Sequence, residues 1–494
     1  MEAMTEASRS MLFTAGEAAG MIGGACKGNL QAVIDNVVVD SRKAGAGSLF
    51  VALPGENVDG HDYIGAALAQ GSACILADAD KKEMLLAGLP ASGLGGSCVI
   101  FVDSPLAGLQ ALAREHRRRM KNLLRIGVTG SSGKTTTKEC IAAALAPAFS
   151  SDSLIVNEGN LNSDIGLALA MFTIEPSHKV GVFEMGMNRK GEMEELVSIY
   201  EPDIAVITNI GTAHIGMIGS RDGIAAEKKT IFSRFDGRQT GFVWEEDSYK
   251  EFLAAGVNGK IAEFGCRSTA GLREYHSLGL AGWSLAWFDQ TILFPLPGRH
   301  NLLNACAALS IAAELKISPA LAAGGLSSVK PLFGRSEIFE GRISLVRDCY
   351  NANPDSVAAA IDLCDSVESG GRKIYVLGSM RELGETSESE HSAMGTRAAS
   401  SAADGLFFFG EEAEMSYRAA HSMAPEKYCF HTNDIESLIS AVFAYLKDGD
   451  LVLAKASRGL ALERFTDALF AEGWAIPAAL IQGDRAKKGA AHAS

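Results

Sequence analysis

The chain has 494 residues, a length that predicts about three domains. It is 47% hydrophobic and 21% charged, ordinary globular usage that excludes a disordered or fibrous chain. The formal net charge of −14 argues against nucleic-acid partners and anionic lipid surfaces, though local cations and helix N-termini can still hold a phosphate.

Residues 1–103 alternate short apolar runs (VVVDSR, SLFVALPG, ACILADAD, CVIFVDS) with glycine turns and helical stretches, which predicts a small α/β domain. A charged helix follows, and its Arg117-Arg118-Arg119 cluster reads as a solvated helix end. LLRIGVTGSSGKTTTKECIAAALA then gives a strand, a glycine loop and a helix. Further buried runs at VGVFEMG and DIAVITNIG predict a mostly parallel sheet covered by helices on both faces. Residues 235–297, rich in Gly, Trp and Phe, read as β-hairpins. A helix starts at GRHNLLNACAAL. From about 333 the alternation returns (ISLVRDCY, KIYVLGS, GLFFFGE, DLVLAKAS) and predicts a Rossmann-like, doubly wound unit. The tail after Gly483 is Ala/Lys/Gly-rich and reads as frayed.

Nine widely spaced cysteines with no C-x-x-C pair fit reduced residues of a cytosolic protein. Glu17 interrupts the apolar N-terminal stretch and Arg9 is its one cation, unlike a secretory signal. No 18-residue uncharged apolar run predicts a membrane span. A cytoplasmic protein is therefore expected.

The strongest chemical signal is Gly130-Ser131-Ser132-Gly133-Lys134-Thr135-Thr136, set between an apolar strand and a helix. Backbone N–H groups of such a loop wrap phosphate oxygens, and the helix N-terminus adds its dipole. Lys134 would reach the β- and γ-phosphates and Thr135 would offer a hydroxyl to Mg²⁺. The strict motif wants Gly where Val128 stands, with Gly127 one place off. No N-K-x-D follows, which argues against GTP.

GVTGSSGKTTTKE resembles the phosphate loop of the Mur ligases of peptidoglycan synthesis, and further matches follow in that family's order. They are Asn160, Asn162 and Gly166 in GNLNSDIGL, Glu184 in FEMGMNRKGEM, His214 in TNIGTAHIG and Lys228 in AAEKKTIF. Asn301 and Asn304 in GRHNLLNACAAL, Arg335 in GRSE and Asp348 in VRDCYNANPDS complete them. YNANPDS and VLGSMRELGETSESEH resemble the member that adds D-alanyl-D-alanine to a UDP-N-acetylmuramoyl-tripeptide. Departures from the family pattern stand at Ser163, Ser379 and Ala456.

The resemblance implies an ATP-dependent amide ligase, monomeric and working through an acyl phosphate, with three α/β domains. Residues 1–103 would hold the UDP substrate, 104–332 ATP, and 333–494 the dipeptide while closing on ATP. Thr135 and Glu184 would hold one Mg²⁺. His214 and Lys228, the latter carbamylated by CO₂, would hold a second. Lys229 is the rival lysine, and the Lys-x-x-x-Phe register with Phe232 selects Lys228. Asn301 and Asn304 would lie near adenine, Arg335 near the γ-phosphate and Asp348 near the ribose. Ser41 and Arg42, after Asp40, would contact the uridine diphosphate. Asn160 and Asn162 would contact substrate. Tyr350, Asn351, Asn353 and Asp355 are candidates for the nucleotide or dipeptide side. The rival readings are a sister Mur ligase, a folylpolyglutamate synthetase-like ligase and a P-loop NTPase switch.

Overall fold

The computed structural model describes residues 10–55, 58–88, 94–150 and 152–476. The tail after Gly483 lies outside them. Three α/β units follow one another along the chain.

The first carries a five-stranded sheet of β1 (Ala25–Gly28), β2 (Asn36–Val38), β3 (Ser48–Val51), β4 (Cys74–Asp78) and β5 (Cys98–Val102), in the order β1-β5-β4-β3-β2. Only β1 runs antiparallel to its neighbour. Helix α1 (Pro105–Arg119), capped by the Ser104 hydroxyl and with Pro105 in its first turn, leads to the second unit. The first sheet and the helices of the second unit share one core, which contains Leu76, Leu109, Leu112, Leu167 and Leu196.

The arginines at the end of α1 are not a solvated cluster. Arg117 is buried, its Nε donates to Ile199 O over 3.0 Å, and its guanidinium lies 2.7 Å from Glu201. Arg119 donates to Leu12 O over 2.8 Å and stacks on the Phe13 ring. Arg118 and Arg119 remain exposed, Arg118 at 57% of its side chain. A charge count along the sequence cannot see that a neighbouring helix ends here and offers unpaired carbonyls to a cation.

The second unit is a six-stranded parallel sheet in the order β11-β10-β9-β6-β8-β7. Its strands are β6 (Leu124–Thr129), β7 (Leu154–Val156), β8 (Val180–Glu184), β9 (Ile204–Ile207), β10 (Thr240–Trp244) and β11 (Lys260–Phe264). The central strands are continuous apolar runs because helices cover both faces. These helices include α2 (Lys134–Leu145), α3 (Asp164–Met171), α4 (Glu192–Tyr200) and α5 (Arg221–Lys229).

Residues 235–297 divide in two. Strands β10 and β11 pair in parallel and extend the main sheet, against the expectation of hairpins. Only β12 (Leu272–Ser277), β13 (Trp283–Trp287) and β14 (Gln290–Phe294) form an antiparallel meander. Its inner face (Leu285, Trp287, Ile292, Phe294) joins the core that also holds α6 (Arg299–Glu314), and β14 packs against the helix Pro319–Ser327.

The third unit has six strands in the order β15-β16-β20-β17-β18-β19. They are β15 (Glu337–Glu340), β16 (Ser344–Arg347), β17 (Lys373–Gly378), β18 (Gly405–Phe409), β19 (Tyr428–Thr432) and β20 (Leu451–Lys455), with β15 alone antiparallel. Helix α7 (Pro354–Ser366) follows β16, and α8 (Ser387–Ala399) follows β17. All nine cysteines are free thiols, six of them buried. Among the described residues no helix is long and apolar enough to cross a membrane.

Candidate active site

Strand β6 ends at the sheet centre, and the chain turns through 130–133 into α2. Two glycines make the turn. Gly133 adopts φ +77° as the N-cap of α2, a left-handed conformation unfavourable for other residues. Gly130 has φ +150°, and a Cβ there would lie 1.8 Å from Thr208 Oγ1. The loop thus exposes its N–H groups at a helix N-terminus, the arrangement that binds phosphate.

The loop is braced by the segment after β9. Ser131 N donates to Asn209 O over 3.0 Å, and Ser132 N donates to Asn209 Oδ1 over 3.1 Å. Thr208 Oγ1 donates to Ser132 O over 2.6 Å. Sequence reading singled out only His214 in this TNIGTAH stretch. The polar run directly after a buried strand was the available signal for Thr208 and Asn209.

Glu184 is the last residue of β8, directly beside the strand that enters the loop. It is buried, and Thr135 Oγ1 donates to Glu184 Oε2 over 2.6 Å while Asn162 Nδ2 donates to Oε1 over 2.8 Å. A hydroxyl and a carboxylate at the foot of a phosphate loop form an all-oxygen donor pair of the kind Mg²⁺ takes beside phosphates and waters.

Lys134 lines the cavity and Lys228 does not. Burial lowers the pKa of the Lys134 ammonium despite the opposing pull of Glu184. Lys228, on the last turn of α5, is 1% exposed, and its Nζ donates to Gly130 O over 3.0 Å. Burial, reinforced by the charge of Lys134, pushes its pKa well below the usual lysine value. The neutral amine is the form that reacts with CO₂. As an amine Lys228 offers no anionic oxygen, so it fits a metal only as the carbamate. Lys229 points elsewhere and donates to Phe252 O and Ala255 O.

His214 sits at φ +65°, and its Nδ1 lies 2.8 Å from Glu382 Oε2, a contact not aligned as a hydrogen bond. Glu382 belongs to the third unit and is itself left-handed, at φ +67°. The adjacent imidazole holds its carboxyl below the usual carboxylate range against the opposing effect of burial. Strained backbone on both partners is concentrated where two units meet at the cavity. Among the described residues no three His, Cys, Asp or Glu side chains converge as a ready metal cage.

A cavity of about 680 Å³ collects these groups. Residues 131–136, Asn160, Asn162, Glu184 and His214 line it from the second unit. Arg335, Asp348, Tyr350, Asn351, Asn353 and Asp355 line it from the third. Arg335 stacks on the Tyr350 ring at 4.3 Å, and Tyr350 Oη donates to Asn160 Oδ1 across the two units. Asp348 pairs with the buried Lys455 over 2.8 Å. Asn353 is the N-cap of α7, its side chain accepting from Ser356 N over 2.8 Å.

Asn301 and Asn304 are buried at the cavity edge with amides partly engaged. Asn301 Nδ2 donates to Pro297 O over 2.7 Å, Asn304 Nδ2 to Asn301 Oδ1 over 3.1 Å, and Thr137 Oγ1 to Asn304 Oδ1 over 2.9 Å. They tie α6 to the phosphate-loop helix. Gly130 and Lys228 do not line the cavity wall. Ser41 and Arg42 lie away from it, in the first unit, where Arg42 folds back on Asp40 in a two-pronged contact of 2.9 and 2.8 Å. Lys455, Glu382, His300 and Arg458 also line the cavity and were missed in the sequence.

The departures have local structural uses. Ser163 caps α3, its hydroxyl accepting from Gly166 N over 3.2 Å. Ser379 Oγ accepts from Ala413 N over 3.1 Å. Ala456 is fully buried against Gly378.

Comparison with known proteins covers all three units. Family models match in chain order: the Mur ligase family catalytic domain at 33–117, the Mur ligase middle domain at 128–312, and the Mur ligase glutamate ligase domain at 334–458. The UDP-N-acetylmuramoyl-tripeptide–D-alanyl-D-alanine ligase of Treponema pallidum is 38% identical over 430 residues, 87% of this chain and 92% of that protein. Its Bacillus subtilis namesake is 34% identical, over 88% of this chain and 92% of that protein. Among solved structures, MurF from Acinetobacter baumannii aligns with a TM-score of 0.82 at 27% identity, covering 93% of this chain and 99% of that one. MurF ligase from Thermotoga maritima, in complex with ADP, aligns with a TM-score of 0.74 at 29% identity, over 87% and 96% of the two chains. The phosphate loop and the units around it are thus shared along nearly the whole length, and the chain belongs to the Mur ligase family.

Proposed function

We propose that this chain joins D-alanyl-D-alanine to UDP-N-acetylmuramoyl-tripeptide with cleavage of ATP to ADP and phosphate, a step of peptidoglycan precursor synthesis. The carrying observation is one cavity where a phosphate loop with Lys134, Thr135 and Glu184 faces Arg335, Asp348 and Tyr350 of the third unit. The relatives named for this reaction, at 38% and 34% identity, support the same reading. The ADP complex of a MurF ligase supports the nucleotide.

The chemistry follows from the substrate. A carboxylate is a poor acyl donor, because attack would have to expel an oxide-like leaving group. Its oxygen therefore attacks the γ-phosphorus, ADP departs, and an acyl phosphate forms. The dipeptide amine then attacks the carbonyl carbon, inorganic phosphate leaves, and the amine loses a proton. Phosphoryl transfer gathers negative charge, so the protein's part is positioning and cationic stabilisation. The loop amides of 130–136 and Lys134 hold the phosphates. Arg335 contributes a second cation from the third domain. Asn301 and Asn304 support adenine and Asp348 the ribose.

Thr135 and Glu184 would hold one Mg²⁺, and His214 with carbamylated Lys228 a second. When bound, these ions neutralise phosphate charge and polarise the reacting oxygens. Residues 1–103 take the uridine-diphosphate part through Ser41 and Arg42, and 104–332 carry ATP. Residues 333–494 take the dipeptide, with Tyr350, Asn351 and Asn353 on that side, and Asn160 and Asn162 face the substrate. In this reading the enzyme works in the cytoplasm as a monomer.

The test is phosphate release from ATP with UDP-N-acetylmuramoyl-tripeptide and D-alanyl-D-alanine added singly and together. Release only with both, with a ligated product by mass spectrometry, is expected. Release independent of both would sink the ligase reading. Release with diaminopimelate or a single D-amino acid instead would move the assignment to a sister ligase.

A further inference from the structure

The segment 208–212 is gripped from two sides. On one side, Gly211 N donates to the Ser131 hydroxyl over 2.8 Å, inside the phosphate loop. On the other, Thr212 N donates to Asp355 Oδ2 over 2.9 Å, and Thr212 Oγ1 reaches the same oxygen at 3.3 Å. Asp355 comes from the third unit, in the first turn of α7, where the helix dipole favours its negative charge. Adjacent residues 211 and 212 therefore form a two-bond bridge from the third unit to the phosphate loop.

Gly211 makes the bridge possible. A Cβ at that position would lie 2.0 Å from Asp355 Oδ2 and 3.3 Å from Ser131 Cβ. The carboxylate occupies the space that any other residue would fill. A second contact point lies alongside: Gly216 meets Gly384 of the third unit, where a Cβ on Gly216 would come 2.6 Å from Gly384 N. His214 lies between the two docking points and faces Glu382.

We infer that Asp355 is a positioning residue, a latch by which docking of the C-terminal unit sets the geometry of the phosphate loop through Thr212, Gly211 and Ser131. A carboxylate accepting a backbone N–H is among the stronger hydrogen bonds. The inference rests on the nucleotide half of the proposed function and is independent of the identity of the amine substrate.

The test uses the full chain and four variants: Asp355→Ala, Asp355→Asn, Gly211→Ala and the Asp355→Ala/Gly211→Ala double. A non-hydrolysable ATP analogue with Mg²⁺ is the probe. Its dissociation constant is measured by calorimetry, and compaction by small-angle X-ray scattering. Asp355→Ala is expected to weaken analogue binding about tenfold and to reduce compaction, the loss of one charge-assisted hydrogen bond. Asp355→Asn keeps an acceptor oxygen and should restore affinity to within about threefold of the parent. Gly211→Ala should reproduce Asp355→Ala, and the double variant should be no worse than the poorer single, because both remove one shared contact. Parent-like affinity and compaction in Asp355→Ala and Gly211→Ala would overturn the latch. So would additive losses in the double variant, or unchanged analogue affinity with a raised KM for D-alanyl-D-alanine, which would make Asp355 a dipeptide contact. A parent chain that binds the analogue and compacts, yet forms no product with D-alanyl-D-alanine, would refute the proposed function and leave the latch standing.

Discussion

Lys134 and Lys228 donate to the same carbonyl oxygen, that of Gly130, each over 3.0 Å. Two amines thus share one acceptor in the phosphate loop. Their mutual repulsion adds to burial in lowering the pKa of Lys228. In the proposed function the pair separates two tasks: Lys134, on the cavity wall, pairs with phosphate, and the fully buried Lys228, off that wall, is the amine most easily held neutral.

For Lys134 the expectation is loss of turnover without loss of fold. Lys134→Met keeps the apolar stem and removes the charge, so steady-state phosphate release should fall about 10²–10³-fold, the usual cost of one preorganised transition-state donor. Lys134→Arg should not restore it, because a planar fork cannot replace a point charge inside a closed loop. Parent-like turnover in Lys134→Met would remove Lys134 from the site.

Lys228 calls for a variant that fills its space, since a 1% exposed side chain leaves a cavity when cut to Ala. Lys228→Met should fold and bind nucleotide but lose turnover by at least about 10–100-fold, the loss that damage to a metal's supporting shell alone brings. Carbon-13 NMR with labelled bicarbonate should show a carbamate signal in the parent and none in the variant. A signal that persists in Lys228→Met would place the carbamate elsewhere.

The strand-loop-helix around Lys134 was legible because all its determinants are local: an apolar run, glycines at left-handed positions and a helix start within a few residues. Glu184 was legible because it ends a buried strand. What joins them was not. The partner of Thr212 is Asp355, 143 positions away, and that of Asn160 is Tyr350, 190 away. No period or spacing marks such pairs. Strands β10 and β11 were misread for a related reason. TGFVW and KIAEF are short and lack clean alternation, and only the parallel register of β10 with β9 and of β11 with β10 decides that they extend the main sheet. Arg117 repeats the lesson at helix scale, because its partners Ile199 and Glu201 lie at the end of another helix.

Glu184 accepts from Thr135 and Asn162 at once, so Glu184→Gln sets an amide N–H₂ against at least one donor. Turnover should fall about 10–100-fold, and the Mg²⁺ concentration giving half-maximal rate should rise. Nucleotide affinity measured without Mg²⁺ should stay close to the parent's, because the loop amides and Lys134 are untouched. An unchanged Mg²⁺ dependence would take Glu184 out of the metal set.

His116 gives a pH-dependent stability at the seam between the first and second units. Its ring is 4% exposed, packs near Phe13 and Phe172, and is held to Ile174 O by Nε2 over 2.8 Å, while Nδ1 has no partner. Burial lowers its pKa from 6.5, with the Ile174 carbonyl opposing and the charge of Arg119 assisting. The unfolded chain therefore takes up a proton below pH 6.5 that the folded chain resists. Unfolding free energy contributed by this group is fully present above that pH and falls as pH drops, by at most about 1.4 kcal/mol per unit, until the folded pKa is reached. In His116→Gln the amide Nε2 can keep the bond to Ile174 O and nothing titrates. Urea denaturation at pH 7.5 and 5.5 should show a smaller acid-induced loss of stability in that variant than in the parent. Equal losses in the two proteins would assign the acid sensitivity to other groups.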